Sequence, residues 1–172
     1  RRYRERPGDN ALPCTIASIY EDWPCYELEL IIDGGNLMSD GVGNLFTTTR
    51  TYDWNPDFSP EEVNDLLKIY FGAETIHALE YAKDPQGKPL DGTGHIDMFA
   101  KIVDPCIVIV AKTESEVFTE ITQAAANYFA NLECGAPGDT YQVFPTKAWS
   151  VWYTDPASPY SPPFTVLYTY TN

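Results

Sequence analysis

Two periods of apolar and polar positions run through this chain. Tyr26-Glu27-Leu28-Glu29-Leu30-Ile31-Ile32 alternates and then turns wholly apolar, which predicts a strand entering a core. Asp33-Gly34-Gly35-Asn36 stops it. Asn44 to Thr49 predicts another strand after a turn at Gly41 and Gly43. Val63, Leu66, Leu67 and Tyr70 follow the helical spacing i, i+3, i+4, i+7. Ser59 before Pro60 and Glu62 forms a capping box with proline at the first helical position, and Gly72 marks the stop. Thr75 to Leu79 predicts a short strand. Tyr81 to Gly94 is rich in Pro, Gly and Asp and predicts a loop. His95 to Ala100 and Cys106 to Ala111 predict strands, the second apolar enough to be covered on both faces.

A second helix is predicted from about Glu116 to Leu132, with Thr113 and Glu116 as its capping box and Gly135 as its end. The segment Tyr141 to Asn172 is dense in Pro, Trp and Tyr and predicts an irregular loop, then a strand from Phe164 to Tyr170. Arg1 to Pro13 is polar, with Arg1, Arg2, Arg4 and Arg6 among its residues, and predicts an exposed arm or loop. The order strand, strand, helix, strand, met twice, is that of an α/β protein built from ββαβ-like units. No sequence repeat accompanies it.

Composition narrows the function. The chain has 172 residues, 44% of them hydrophobic, so it can bury a core and is not disordered throughout. Acidic residues outnumber basic ones by 25 to 11, a formal net charge of −14, which argues against nucleic-acid binding through a basic face. No apolar run approaches the roughly 20 residues of a membrane helix. Cys14, Cys25, Cys106 and Cys134 make no CxxC and no zinc spacing, which argues against a metal site. Their even number leans towards disulfides and an oxidising compartment, extracellular or periplasmic, with four free buried thiols as the alternative. Three pairings are open, and Cys14 with Cys25 is the most local. The chain starts at Arg1 without Met or a signal-like stretch, which suggests that either something was removed or this is a piece of a longer polypeptide.

His77 lies inside a strand pattern and is read as structural. His95 follows the Asp91-Gly92-Thr93-Gly94 loop, and in Gly94-His95-Ile96-Asp97 a strand would bring His95 and Asp97 to one face. An imidazole beside a carboxylate is the pairing that general acid/base chemistry uses. The paired glycines after Asp33 allow a sharp turn or a close approach to a ligand, although an ordinary turn explains them as well.

Asp33-Gly34-Gly35-Asn36 with Asp40-Gly41, followed by Gly94-His95-Ile96-Asp97, resembles two motifs of the bacterial-type peptidyl-arginine deiminase and agmatine deiminase family. They occur in the same order with a helix between them. The Asn55-Pro56 lead-in to that helix, the Arg-rich start with Pro7 and Asp9, and Tyr168 to Asn172 resemble the family too. The resemblance covers nearly the whole chain. It implies a pentein fold, an α/β propeller of ββαβ modules around a pseudo-fivefold axis, of which residues 1–172 would be a single unit, the central part of the deiminase domain. It implies hydrolysis of a guanidino group by a cysteine thiolate, with no cofactor. By position, His95 would be the general acid/base, Asp97 would hold the guanidinium, and Asp33 would stand where the family has Glu. Asn36 and Asp40 complete the substrate-binding candidates.

The resemblance also implies what is not here. The family's nucleophilic Cys lies in a Gly-rich motif that none of the four cysteines matches, and its first guanidinium-binding Asp lies upstream of Arg1. The expectation is therefore a deiminase segment, inactive by itself and completed by other segments of its precursor or by partner chains. The substrate would be agmatine, arginine or a peptidyl-arginine. The alternative is a non-catalytic deiminase-like subunit of an extracellular assembly, with Trp149, Trp152, Tyr153 and Tyr160 at an interface.

Overall fold

A computed structural model describes residues 7–20, 23–135, 137–147, 149–153 and 164–168. Where the sequence suggests a single unit, the chain divides into two compact ones, Arg1–Ile31 and Ile32–Asn172.

The first unit carries helix α1, Pro7–Ala17, where the polar composition predicts an arm or loop. Pro7 suits the first helical position, and Asp9 lies in the first turn, where the helix dipole favours an acid. These local signals outweigh Pro13 inside the helix. Cys14 and Cys25 are bridged with Cα atoms 5.3 Å apart, as their closeness in sequence predicts. Tyr26 to Ile32 is not a strand. Its alternation is strand-like, but no ladder forms along it, and the boundary between the units falls within it. Arg1, Arg2, Arg4 and Arg6 lie outside the described residues.

The second unit holds two small mixed sheets of the same construction. In the first, β1 (Met38–Ser39) runs antiparallel to β2 (Asn44–Thr48), and β2 runs parallel to β3 (Thr75–Leu79). A parallel pair needs a crossover, supplied by α2 (Arg50–Trp54) and α3 (Pro60–Phe71). In the second sheet, β4 (Ala100–Asp104) is antiparallel to β5 (Ile107–Lys112), helix α4 (Glu116–Asn131) crosses over, and β6 (Gln142–Lys147) returns parallel to β5. A ββαβ order is thus present twice, as expected, but β1 and β6 take the places expected of strands at residues 26–32 and 164–170. A hairpin of β7 (Trp149–Tyr153) and β8 (Phe164–Tyr168) follows. Thr169 to Asn172 and Tyr160 lie outside the described residues.

Ser59 caps α3 as predicted: its hydroxyl accepts from the Glu62 amide at 3.2 Å, and the Glu62 carboxylate accepts from the Ser59 amide at 2.8 Å. Gly72 ends the helix at φ 66°. At α4 the cap differs from the expectation. Ser115 occupies the cap without a side-chain bond, and the Thr113 hydroxyl accepts from the Ser115 amide at 3.1 Å instead. That helix stops at Asn131, before Gly135, because Leu132 is already extended. β6 lies where an irregular loop is predicted. Pro145 argues against a strand, yet β6 is the edge of its sheet, where a missing N–H is tolerated.

The core joins the two modules. Phe46 of β2 packs on Phe129 of α4 (ring centroids 5.1 Å), and Tyr141 meets both rings edge-on. Val63, Leu67, Val108 and Ile96 are fully buried around or beside it. Each such side chain contributes about 1.5–3 kcal/mol of hydrophobic stabilisation. Cys106 and Cys134 form a second disulfide, Cα atoms 5.5 Å apart, which ties the β4–β5 turn to the segment after α4. Two disulfides fit an oxidising compartment. Among the described residues, no helix is long and apolar enough to cross a membrane.

Candidate active site

Three chain segments meet at His95. The Asp33–Asn36 turn does not end a strand. It is a single 3₁₀ turn, Gly34–Asn36, closed by the Asn36 amide on the Asp33 carbonyl at 2.9 Å. His95 does not open a strand either. It precedes another 3₁₀ turn, Ile96–Met98, and β4 begins only at Ala100. The cause lies in Asn36. This buried carboxamide accepts from the Ile96 amide at 3.0 Å and the Thr48 amide at 3.2 Å, and donates to the Thr51 hydroxyl at 3.1 Å. With its amide committed there, Ile96 cannot join a ladder. The Thr48 hydroxyl, 3.0 Å from the Asn36 carboxamide oxygen, donates to the Gly94 carbonyl at 2.6 Å. The Asp91 carboxylate accepts from the amides of Thr93 and Gly94 and shapes the approach to His95. One asparagine thus binds the first motif, β2 and the second motif together.

On this frame the His95 Nε2 lies 3.0 Å from the Asp33 carboxylate, across 62 residues of sequence. Its Nδ1 is 3.9 Å from the Asp97 carboxylate. The two residues therefore meet without the strand geometry that predicts it. Burial raises the Asp97 carboxyl above its ordinary value and the charge of Asp91 adds to this, while the charges of His95 and Lys101 pull it back. Gly35 passes so near that a Cβ there would stand 2.7 Å from both the Asp97 carboxylate and the His95 Nδ1. The Trp54 indole meets the His95 ring edge-on, centroids 5.8 Å apart. Nothing in the sequence pattern singles out Trp54, which sits in the short helix α2 that the hydrophobic periodicity misses.

Of the five candidates, Asp33, His95 and Asp97 come together. Asn36 and Asp40 do not join them as ligands, because their polar atoms are taken up inside the fold. Asp40 is buried and accepts from the amides of Val42 and Asn44, the Asn44 side chain and the Tyr141 hydroxyl, the last two at 2.6 Å. Burial would raise its carboxyl, but these hydrogen bonds together hold it below its ordinary value. Burial and the Asp40 hydrogen bond push the Tyr141 phenol far up. His77 belongs to the same network. Its Nε2 lies 3.0 Å from the Asn44 carboxamide oxygen and its Nδ1 2.7 Å from the Tyr128 hydroxyl, with the ring stacked on Phe46. This is the structural role its strand pattern suggests.

A polar cluster of one imidazole between two carboxylates, walled by an indole, suits a planar cation that also exchanges a proton. No group of His, Cys, Asp and Glu able to hold a metal ion occurs among the described residues. The family model for the Porphyromonas-type peptidyl-arginine deiminase matches residues 1–171, so the chain belongs to that family. A curated relative from Marinomonas sp. (strain MWYL1) is 34% identical over 110 residues, 62% of this chain and 28% of its own. The agmatine deiminase of Medicago truncatula is 25% identical over 168 residues, 87% of this chain and 43% of its own. The solved agmatine deiminase of Enterococcus faecalis shares the fold over 83% of this chain and 40% of its own, with a TM-score of 0.68 and 23% identity. The chain thus spans less than half the length of these relatives.

Proposed function

We propose, from membership in the Porphyromonas-type peptidyl-arginine deiminase family, that this chain is the central segment of a guanidino-group hydrolase. The observation that carries the reading is the convergence of Asp33, His95 and Asp97. A turn with only a structural purpose at Asp33 has no reason to face His95. In the proposed reaction the two carboxylates clamp a guanidinium by charge-assisted hydrogen bonds. A thiolate adds to the guanidino carbon. Protonated His95 gives its proton to the leaving nitrogen, which departs as ammonia and leaves an amidino-thio intermediate. Neutral His95 then takes a proton from water, the hydroxide adds, and the thiolate leaves to give the ureido product. Asp33, accepting from His95, stabilises the imidazolium in each half. This chemistry calls for no cofactor.

The thiolate comes from outside these 172 residues. All four cysteines of the chain are bridged, so none is a nucleophile here. The segment is therefore inactive alone, and its partners are the remaining modules of a pseudo-fivefold pentein, whether on the same precursor or on another chain. The two bridges support an extracellular or periplasmic setting, where disulfides persist. The same bridging favours the second reading, a non-catalytic deiminase-like subunit of an extracellular assembly.

Ammonia release from arginine and from agmatine separates the two. The purified chain is expected to release none. Together with the modules that bear the Gly-rich cysteine motif it is expected to turn over, with His95→Ala abolishing release and His77→Gln sparing it. No turnover in the completed protein leaves the subunit reading standing. Turnover by the chain alone refutes both.

A further inference from the structure

The imidazole of His95 reaches its place through a soft torsion. Its χ2 angle has two broad wells rather than sharp staggered ones, so the backbone does not choose the plane of the ring. Contacts must choose it. One of them is the hydrogen bond between Nε2 and the Asp33 carboxylate at 3.0 Å. An ionised carboxylate only accepts, so this bond asks for a proton on Nε2 and decides which edge of the ring turns to Asp33. A hydrogen bond fixes an edge of a ring, and groups packed on the faces fix its plane. The Trp54 indole stands against this ring at 89°, with the centroids 5.8 Å apart. Aromatic rings favour such an edge-to-face arrangement at this separation.

The indole is itself held firmly. Trp54 is the last residue of α2, a helix anchored at several points. The buried Thr51 hydroxyl lies 2.7 Å from the Thr47 hydroxyl and accepts from the Asn36 carboxamide at 3.1 Å. The Tyr52 hydroxyl donates to the Asn64 side chain of α3 at 2.9 Å. Just past the helix, the buried Asn55 donates from its side chain to the Thr51 carbonyl at 2.7 Å. The Arg50 guanidinium lies over the indole, 5.1 Å from its centroid, and the Tyr81 ring lies 5.7 Å from the same guanidinium. Asn36 sets both partners from one point. Its carboxamide accepts from the amide of Ile96, the neighbour of His95, and donates to Thr51, three residues before Trp54.

We propose that Trp54 is a positioning residue for His95: its indole fixes the plane of the imidazole, so that Nε2 stays on Asp33 and the edge bearing Nδ1 stays beside Gly35 and Asp97. The proposal rests on the deiminase reading and deepens it. In that reading a proton passes between His95 and the bound guanidino group, and a misplacement of about an ångström is enough to slow such a step severely. Trp54 acts through His95 and exchanges no proton itself.

The test uses the 172-residue chain with isotope-labelled histidine and follows the nitrogen and proton signals of the His95 ring, His77 serving as internal control. In the native chain neutral His95 is expected to carry its proton on Nε2, and its ring protons to show cross-relaxation with the Trp54 indole. Trp54→Ala is expected to lower the ratio of the Nε2–H form to the Nδ1–H form by about two- to tenfold, the worth of one edge-to-face ring pair, with the His77 signals in place. Trp54→Phe keeps a ring and is expected to restore most of the ratio. In the completed protein Trp54→Ala is expected to lower kcat about tenfold with KM within about twofold of the native value. An unchanged ratio in Trp54→Ala, with the His77 signals in place, overturns the proposal. So does a rise in KM at unchanged kcat, which would make Trp54 a substrate contact instead. If Trp54→Ala does not fold, the native chain decides: missing cross-relaxation between the two rings, or comparable amounts of the two His95 forms, overturns it. If the native completed protein does not turn over, the deiminase reading falls, while the ring signals still decide for or against the hold of Trp54 on His95.

Discussion

Replacing Gly35 by alanine adds one methyl group at the closest approach in the candidate site. The new Cβ would lie 2.7 Å from both the Asp97 carboxylate and the His95 Nδ1, where ordinary contacts begin at 3.4 Å. Both side chains must therefore retreat by about 0.7 Å, or the turn must shift by as much. Backbone strain is not the issue, because Gly35 is not among the positive-φ glycines. Overpacking of this kind costs about 1–3 kcal/mol. At roughly 2–4 °C per kcal/mol for a chain of this size, the midpoint of thermal unfolding should fall by about 2–12 °C. On the proposed deiminase reading, displacement of His95 and Asp97 by nearly an ångström should cost about a hundredfold in turnover once the remaining modules are supplied. Gly34→Ala is the control, since nothing stands within 4 Å of a Cβ there, and it should be neutral or slightly stabilising. Differential scanning calorimetry gives the first quantity, and the His95 ring signals report the displacement directly. If Gly35→Ala matches Gly34→Ala in both measurements, the close approach of Gly35 does not constrain the site.

Three further outcomes follow from the same structure. Burial lowers the His77 pKa below 6.5 against the pull of Asp40, so the unfolded chain takes the proton first as pH falls. Stability should therefore be full above about pH 6.5 and decline below it, and chemical denaturation of His77→Gln should show a flatter profile than the native chain between pH 7 and 5. Ser59→Ala removes the hydroxyl half of the α3 capping box and should cost about 1 kcal/mol in urea unfolding, with no change in the His95 signals. Replacing Cys106 and Cys134 by serine opens a loop spanning 28 residues and should cost about 3–4 kcal/mol in the chain-entropy model, read from the same denaturation midpoints.

Sequence alone determined the two long helices and part of the sheets. Ser59, Pro60, Glu62 and Gly72 act within a few residues of one another, so the start and stop of α3 were legible without any tertiary context. The strands β2, β3 and β5 were legible for the same reason, as local apolar patterns, whereas β1 and β6 were not read. The spacing of His95 and Asp97 marked them as a candidate pair, and motif resemblance added Asp33 and anticipated a meeting of residues far apart in the chain. Only the tertiary structure decided how they meet. Asn36 takes the Ile96 amide, which converts the expected strand at His95 into a 3₁₀ turn and keeps Asn36 itself from reaching a ligand. Asp40 has the composition of a loop acid, but a hydroxyl 101 residues away turns it inward. Strand-like alternation at Tyr26 to Ile32 found no partner strand, whereas the proline-bearing β6 found one in β5. In each case the competing hydrogen-bond partner came from a distant segment, and no local pattern carries the position of a partner that only folding brings near.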